Sequence, residues 1–95
     1  MKSFYVYIMA SHKHGTLYVG FTSDPTKRIW EHREGVAEGF TKEHNIKTLV
    51  HIEVFSDPEN AIMREKKLKK WRRQWKINLI EEDNPDWSDL YEGMF

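Results

Sequence analysis

Two segments of period-two alternation, separated by a short polar stretch, constrain this chain more than anything else in it. Phe4-Tyr5-Val6-Tyr7-Ile8-Met9 is built from β-branched and aromatic residues, Thr16-Leu17-Tyr18-Val19-Gly20-Phe21 repeats that character, and Ser11-His12-Lys13-His14-Gly15 lies between them. Such residues suit a pleated, half-buried surface, so the pattern predicts a β-hairpin. Successive side chains of a strand point to opposite faces. Tyr5, Tyr7 and Met9 therefore share one face, and Phe4, Val6 and Ile8 share the other. In the second strand Tyr18 sides with Gly20 against Leu17, Val19 and Phe21. The hairpin has an aliphatic side and a tyrosine-rich side.

Punctuation residues divide the rest. Ser23 or Asp24 can cap a helix, Pro25 suits its first position and Gly35 suits the residue past its end, which predicts a short helix over 25–34. Arg28 and His32 then lie one turn apart on one face. Gly35 to Asn45 reads as a connecting loop, and Thr48-Leu49-Val50-His51-Ile52-Glu53-Val54-Phe55 as a third strand. Ser56-Asp57-Pro58-Glu59 repeats the cap-then-proline signature. A long helical stretch over 58–82 follows, with a break or kink near Trp71-Arg72-Arg73. Asn84-Pro85-Asp86-Trp87 is a turn, and Leu90, Tyr91, Met94 and Phe95 form a short apolar patch in the tail.

Ninety-five residues fit one domain, with a core at about 3–82 and an acidic tail at 83–95. With no cysteine there is neither a disulfide nor a thiolate metal site to add stability, and 14% aromatic residues must carry the core. The run Phe4 to Ala10 is too short for a secretory core or a membrane span, so a cytoplasmic protein without membrane attachment is expected.

Fifteen Lys and Arg balance fifteen Asp and Glu, which taken as a total argues against a polyanionic partner. The distribution reverses that inference. Residues 64–76 hold eight bases and a single acid, Glu65, whereas residues 81–95 hold six acids and no base. Lys66, Lys67, Lys69, Lys70, Arg72, Arg73 and Lys76 are therefore candidates to contact phosphates, against the alternative of an ordinary solvated helix face. At 100° per residue Ala61, Leu68, Trp75 and Leu79 share a direction, and Glu65 lies at the edge of that stripe. An inward carboxylate there is either half of an ion pair, with Lys69 or Arg72, or a ligand for a hard divalent cation. Tyr7 and Tyr18 taken alone read as a cross-strand structural pair, and Arg28 with His32 as a surface pair. His12 and His14 form an H-x-H that lacks further metal ligands.

Taken in order, Tyr5-Val6-Tyr7, Tyr18-Val19-Gly20, Arg28, His32 and Glu65 resemble the GIY-YIG nuclease superfamily, in particular its small stand-alone bacterial (URI-type) members. The resemblance spans roughly residues 3–91 and includes Gly39-Phe40-Thr41 and Asn84-Pro85-Asp86-Trp87. Tyr5 and Val6 replace the Gly and Ile of the first name-giving tripeptide, and Val19 replaces the Ile of the second. Both tyrosines and Gly20 are kept. The asparagine that many members place after the metal-binding glutamate matches either Asn78 or Asn84.

The resemblance implies an α/β (α+β) fold, a small three-stranded antiparallel sheet flanked by helices, and hydrolysis of phosphodiester bonds with one divalent metal, Mg or Mn. It implies Glu65 as the metal ligand. Arg28 can grip the phosphate with its planar fork. With no second carboxylate at hand, Tyr7 is the candidate general base, its phenolate favoured by Arg28 and a metal. Tyr18 orients Tyr7, water or phosphate, His32 relays a proton or bonds the tyrosine, and Gly20 leaves room for the substrate backbone. The nucleic acid is DNA in preference to RNA, bound with weak sequence selectivity in a repair or recombination setting. So small a chain leaves targeting to recognition of nucleic-acid structure or to a protein partner. The competing readings are a non-catalytic nucleic-acid-binding or protein-interaction module on the same fold, and a small interaction domain using the tail aromatics.

Overall fold

The computed structural model describes residues 2–37 and 39–94; Phe95, counted above in the tail patch, lies outside them. In chain order the elements are β1 (Phe4–Ala10), β2 (Leu17–Thr22), α1 (Pro25–Arg33), α2 (Phe40–Glu43), β3 (Thr48–Phe55), α3 (Pro58–Lys70), α4 (Arg73–Asp83) and α5 (Tyr91–Met94). The strands form one antiparallel sheet in the order β2-β1-β3, which matches the expected α+β class.

The alternation in β1 sorts its side chains as its sequence requires. Val6, Ile8 and Ala10 join Val19 and Val50 beneath Ala61 and Leu68 of α3, Ile77 and Ile80 of α4, and Trp87. Tyr7 and Met9 join Ile29, Ile46 and Leu49 on the other face, with Tyr18, Leu90, Tyr91 and Met94 packed around them. β1 is thus covered on both sides, and Val6 to Ala10 are all buried.

Both cap-then-proline signatures work as expected. Asp24 accepts from the Lys27 backbone N–H at 3.2 Å and Asp57 from that of Asn60 at 3.0 Å, each ahead of a proline in the first turn. The helical stretch over 58–82 is broken where the sequence placed a break or kink, into two helices. Trp71 (ψ 149°) and Arg72 (ψ 148°) are both extended and separate α3 from α4. The break resets the helical phase, so Ile77 and Ile80 face the core while Trp75, placed on the buried stripe by a continuous wheel, is 49% exposed. The loop over 35–45 contains α2, which the sequence did not announce.

Between Ile8 and Met9 the pairing with β3 shifts by a residue, leaving Val50 as the extra one. Its carbonyl accepts from Asn84 Nδ2 at 3.1 Å, and Asn84 also bonds both backbone groups of Ser88. This buried asparagine closes α4 and fixes the turn after it. Asn78, by contrast, is exposed and bonds Gln74 one turn away. The tail then folds onto α1: Asp89 pairs with Arg33, and Leu90 N–H donates to the Leu49 carbonyl at 2.8 Å. No helix is long and apolar enough to cross a membrane among the described residues.

Candidate active site

Tyr7 lies on the central strand, 1% exposed, and its hydroxyl is 3.0 Å from His32 Nε2 on α1. The opposite nitrogen, His32 Nδ1, is 3.0 Å from the Thr41 hydroxyl of α2. Tyr18 packs on both members of the first bond, with its ring centroid 6.4 Å from that of Tyr7 and 5.3 Å from that of His32. In register Tyr18 opposes Met9 and Gly20 opposes Tyr7, so the two tyrosines are diagonal neighbours across the hairpin. A Cβ at Gly20 would overlap the Tyr7 hydroxyl and Cζ. The glycine therefore makes room for the tyrosine of its own site, which replaces the expectation that it clears space for substrate.

Arg28, one turn before His32, donates to Glu31 at 3.2 Å and lies close enough to Tyr7 and Tyr18 to act on their charge. Glu65 is half-buried on α3 and pairs with the more exposed Lys69 at 3.1 Å, one of the two partners its spacing offered. Its charge also reaches Tyr7. Tyr7, Tyr18, Arg28, His32 and Glu65 thus converge on one place, brought there by β1, β2, α1 and α3.

The electrostatics differ from expectation at the phenol. Burial raises the Tyr7 pKa, with Tyr18 and Glu65 adding to it, and the opposing pull of Arg28 is too weak to reverse the rise. Without a further positive charge Tyr7 is a neutral phenol. Burial, helped by Arg28 and opposed by Glu31, holds His32 down at about 4, so the ring is neutral at physiological pH. A neutral imidazole donates through one nitrogen and accepts through the other. The chain Tyr7–His32–Thr41 therefore runs either from the phenol towards the threonine or back.

For a divalent cation the candidate ligand is Glu65, whose charge reaches Tyr7, while the other carboxylate nearby, Glu31, is taken up by Arg28. Mg²⁺ commonly binds through one or two carboxylates plus substrate phosphate while keeping several waters, so this donor set fits it. Among the described residues no group of three or more His, Asp or Glu is arranged to hold a metal. The H-x-H pair is occupied otherwise: His12 bonds Ser11, and His14 bonds Glu81, which also accepts from Trp87.

The basic residues divide. Arg73 donates to the carbonyls of His14 and Gly15 and so ties the hairpin turn to α4. Lys76 is partly buried, and its pKa is lowered by burial and by Arg73. Arg72 lies over the Trp75 ring. Lys66, Lys67 and Lys70 are exposed and line a cavity of about 550 Å³ with Phe55, Asn60, Met63 and Arg64. Lys69 alone of the set pairs with Glu65 at the site. Thr41 and Phe40 are the site residues that residue-type reasoning passed over; Gly39-Phe40-Thr41 carried the only signal, as part of the family resemblance.

The model of the GIY-YIG catalytic domain family matches residues 3–78. The chain is similar to the UPF0213 proteins of Staphylococcus saprophyticus and Staphylococcus haemolyticus, each 38% identical over 82 residues, covering 86% of this chain and 99% of theirs. A UPF0213 protein of Staphylococcus aureus is 34% identical over the same share. The solution NMR structure of the UPF0213 protein BH0048 from Bacillus halodurans superposes with a TM-score of 0.57 at 27% identity, covering 95% of each chain.

Proposed function

The chain belongs to the GIY-YIG catalytic domain family, and from that membership we propose that it is an endonuclease that hydrolyses phosphodiester bonds of nucleic acid, DNA in preference to RNA, with one Mg or Mn ion. The observation that carries the reading is the meeting of the Tyr7–His32 hydrogen bond with the opposite charges of Arg28 and Glu65 around one buried phenol. A purely structural tyrosine pair needs neither charge.

Arg28 binds a non-bridging phosphate oxygen and offsets the charge that grows there as water attacks. Glu65 would hold the cation, which when bound would supply positive charge to offset that of the phosphate and favour the phenolate. Tyr7 takes the proton of the attacking water as the bond from phosphorus to the leaving oxygen breaks, and that oxygen takes a proton from solvent. To do so Tyr7 must first release its own proton to solvent, and the hydrogen-bonded chain accommodates that loss. With one proton gone, Nε2–H donates to the phenolate and the Thr41 hydroxyl donates to Nδ1, so every polar atom keeps a partner. Tyr18 braces the Tyr7 and His32 rings. Lys69, one turn from Glu65 on α3, and the exposed Lys66, Lys67, Lys70 and Arg72 extend the binding surface, whereas Arg73 acts by holding the hairpin turn.

The test is purified protein with single-stranded, duplex and branched DNA and with RNA, in Mg²⁺ or Mn²⁺ and in chelator. Cleavage that requires metal and is lost in Arg28→Ala supports the enzyme. Salt-sensitive binding without cleavage of any substrate contradicts it. Because a raised tyrosine pKa leaves little phenolate at neutrality, the cleavage rate is expected to climb as pH rises from 6 to 9.

A further inference from the structure

The rings beside Tyr7 do not stop at the buried part of the site. Tyr18 stacks on Phe40, with centroids 6.5 Å apart and planes 26° apart, and Phe40 lies 4.2 Å from the His44 ring. Aromatic surface thus runs from the buried phenol out to solvent. Phe40 is 47% exposed although its neighbour Thr41 is only 3% exposed. Consecutive helical residues diverge by about 100°, so α2 turns the threonine inward to His32 and turns the phenylalanine outward beside the same site.

We propose that Phe40, backed by Tyr18 and flanked by His44, is a stacking ledge for a nucleobase next to the scissile phosphate, and that the substrate therefore presents an unpaired, unstacked base there. This deepens the nuclease reading and rests on it for the scissile phosphate. Every base has a π face, so such a ledge binds without reading sequence. A base inside a duplex has both faces occupied by its neighbours. Single-stranded nucleic acid offers the free face, and the ledge's continuity with Tyr18 sets that base close to the reacting position.

The experiment uses the full chain and 12-nucleotide single-stranded DNAs, each with one 2-aminopurine at a successive position, in chelator so that nothing is cut. The wild type is expected to quench the probe at one or two positions. Phe40→Ala should abolish that quench and weaken binding roughly ten-fold, within the range for loss of one stacked base, and Phe40→Trp should restore both. Equal quenching and affinity in wild type and Phe40→Ala would overturn the ledge. So would equal binding by Phe40→Ala and wild type with failure of Phe40→Trp to improve on alanine. A second arm adds Mg²⁺ or Mn²⁺ and a strand with an abasic residue beside the cut. The abasic residue should slow the wild type and leave Phe40→Ala no slower than it already is. Phe40-dependent quenching without cleavage keeps the ledge and sinks the nuclease reading; cleavage equally fast on the abasic and intact strands in both proteins keeps the nuclease and sinks the ledge.

Discussion

The two faces of the sheet are built from the same strand by different rules. Above Val6, Ile8 and Ala10 the neighbours Val19, Val50, Ala61, Leu68 and Ile80 are aliphatic and closed to water. Above Tyr7 the neighbours include the buried His32 and Thr41, held by hydrogen bonds. Burying a polar group without a partner costs on the order of 1–3 kcal/mol, so a polar cluster of this kind persists only when satisfied. Among the described residues no buried side-chain nitrogen or oxygen lacks a partner. Both faces bury apolar side chains, but among the described residues only the tyrosine face buries a histidine hydrogen-bonded to a phenol. Glu65 joins the two, since the helix that seals the aliphatic face delivers it to the phenol.

The comparison can be broken at its strongest point by asking whether damage on each face has a different signature. Arg28→Ala should lower cleavage roughly 10²–10³-fold with little change in the urea midpoint, because Arg28 is part-exposed and its pair with Glu31 is a one-turn surface contact. Single-turnover rates beside urea unfolding curves decide this. Leu68→Ala should do the reverse, costing about 2–5 kcal/mol of stability through loss of a fully buried side chain. A residual folded fraction of that variant should cleave at the wild-type rate per folded molecule.

Acid separates the faces next. The folded His32 takes its proton only near pH 4, against 6.5 in the unfolded chain, so the unfolded state binds more protons between those values. Its contribution is complete above about pH 6.5 and is lost as pH falls towards 4, to the extent of about 3 kcal/mol. On the aliphatic face burial works to raise Glu53, but hydrogen bonds from His51 and Arg64 outweigh it and hold the carboxyl at about 2. That contribution is present above about 4.5 and lost as pH falls towards 2. Unfolding free energies measured along pH should lose the upper slope in His32→Gln and the lower slope in Glu53→Gln. Loss of both slopes in either variant would mean that the faces do not titrate separately.

The smallest contrast concerns the two asparagines. Asn84→Ala should cost about 1–3 kcal/mol, since it leaves the Val50 carbonyl and the Ser88 backbone without their partner. Asn78→Ala should cost no more than about 0.5 kcal/mol, because its bond to Gln74 is an exposed one-turn contact. Thermal unfolding of both variants checks the pair.

Much of this division was legible in the sequence. Period-two alternation assigned Val6 and Tyr7 to opposite faces, and helical spacing put Glu65 at the edge of the buried stripe with Lys69 in reach. Capping signatures located α1 and α3 because Asp24 and Asp57 act on their own next turn. The features that escaped are those set through space. The break near Trp71-Arg72-Arg73 was expected, but how far it turns α4 is set by packing, and so the phase of Trp75 was lost. A four-residue helix such as α2 has no periodicity to read. Thr41 acquires its part only because α2 docks against α1. The rise in the Tyr7 pKa depends on how deeply the strand is covered, and residue types alone favoured the pull of Arg28.

The most direct test of the central claim is single-turnover cleavage of a labelled oligonucleotide in Mn²⁺ by the wild type and by Glu65→Gln, with Mn²⁺ binding followed by electron paramagnetic resonance. The substitution keeps the side chain's size at a half-buried position, so the fold should survive. Glu65→Gln is expected to remain folded, to lose the bound Mn²⁺ signal and to lower cleavage at least about 10²-fold. A folded Glu65→Gln that binds Mn²⁺ and cuts as fast as the wild type would contradict the account.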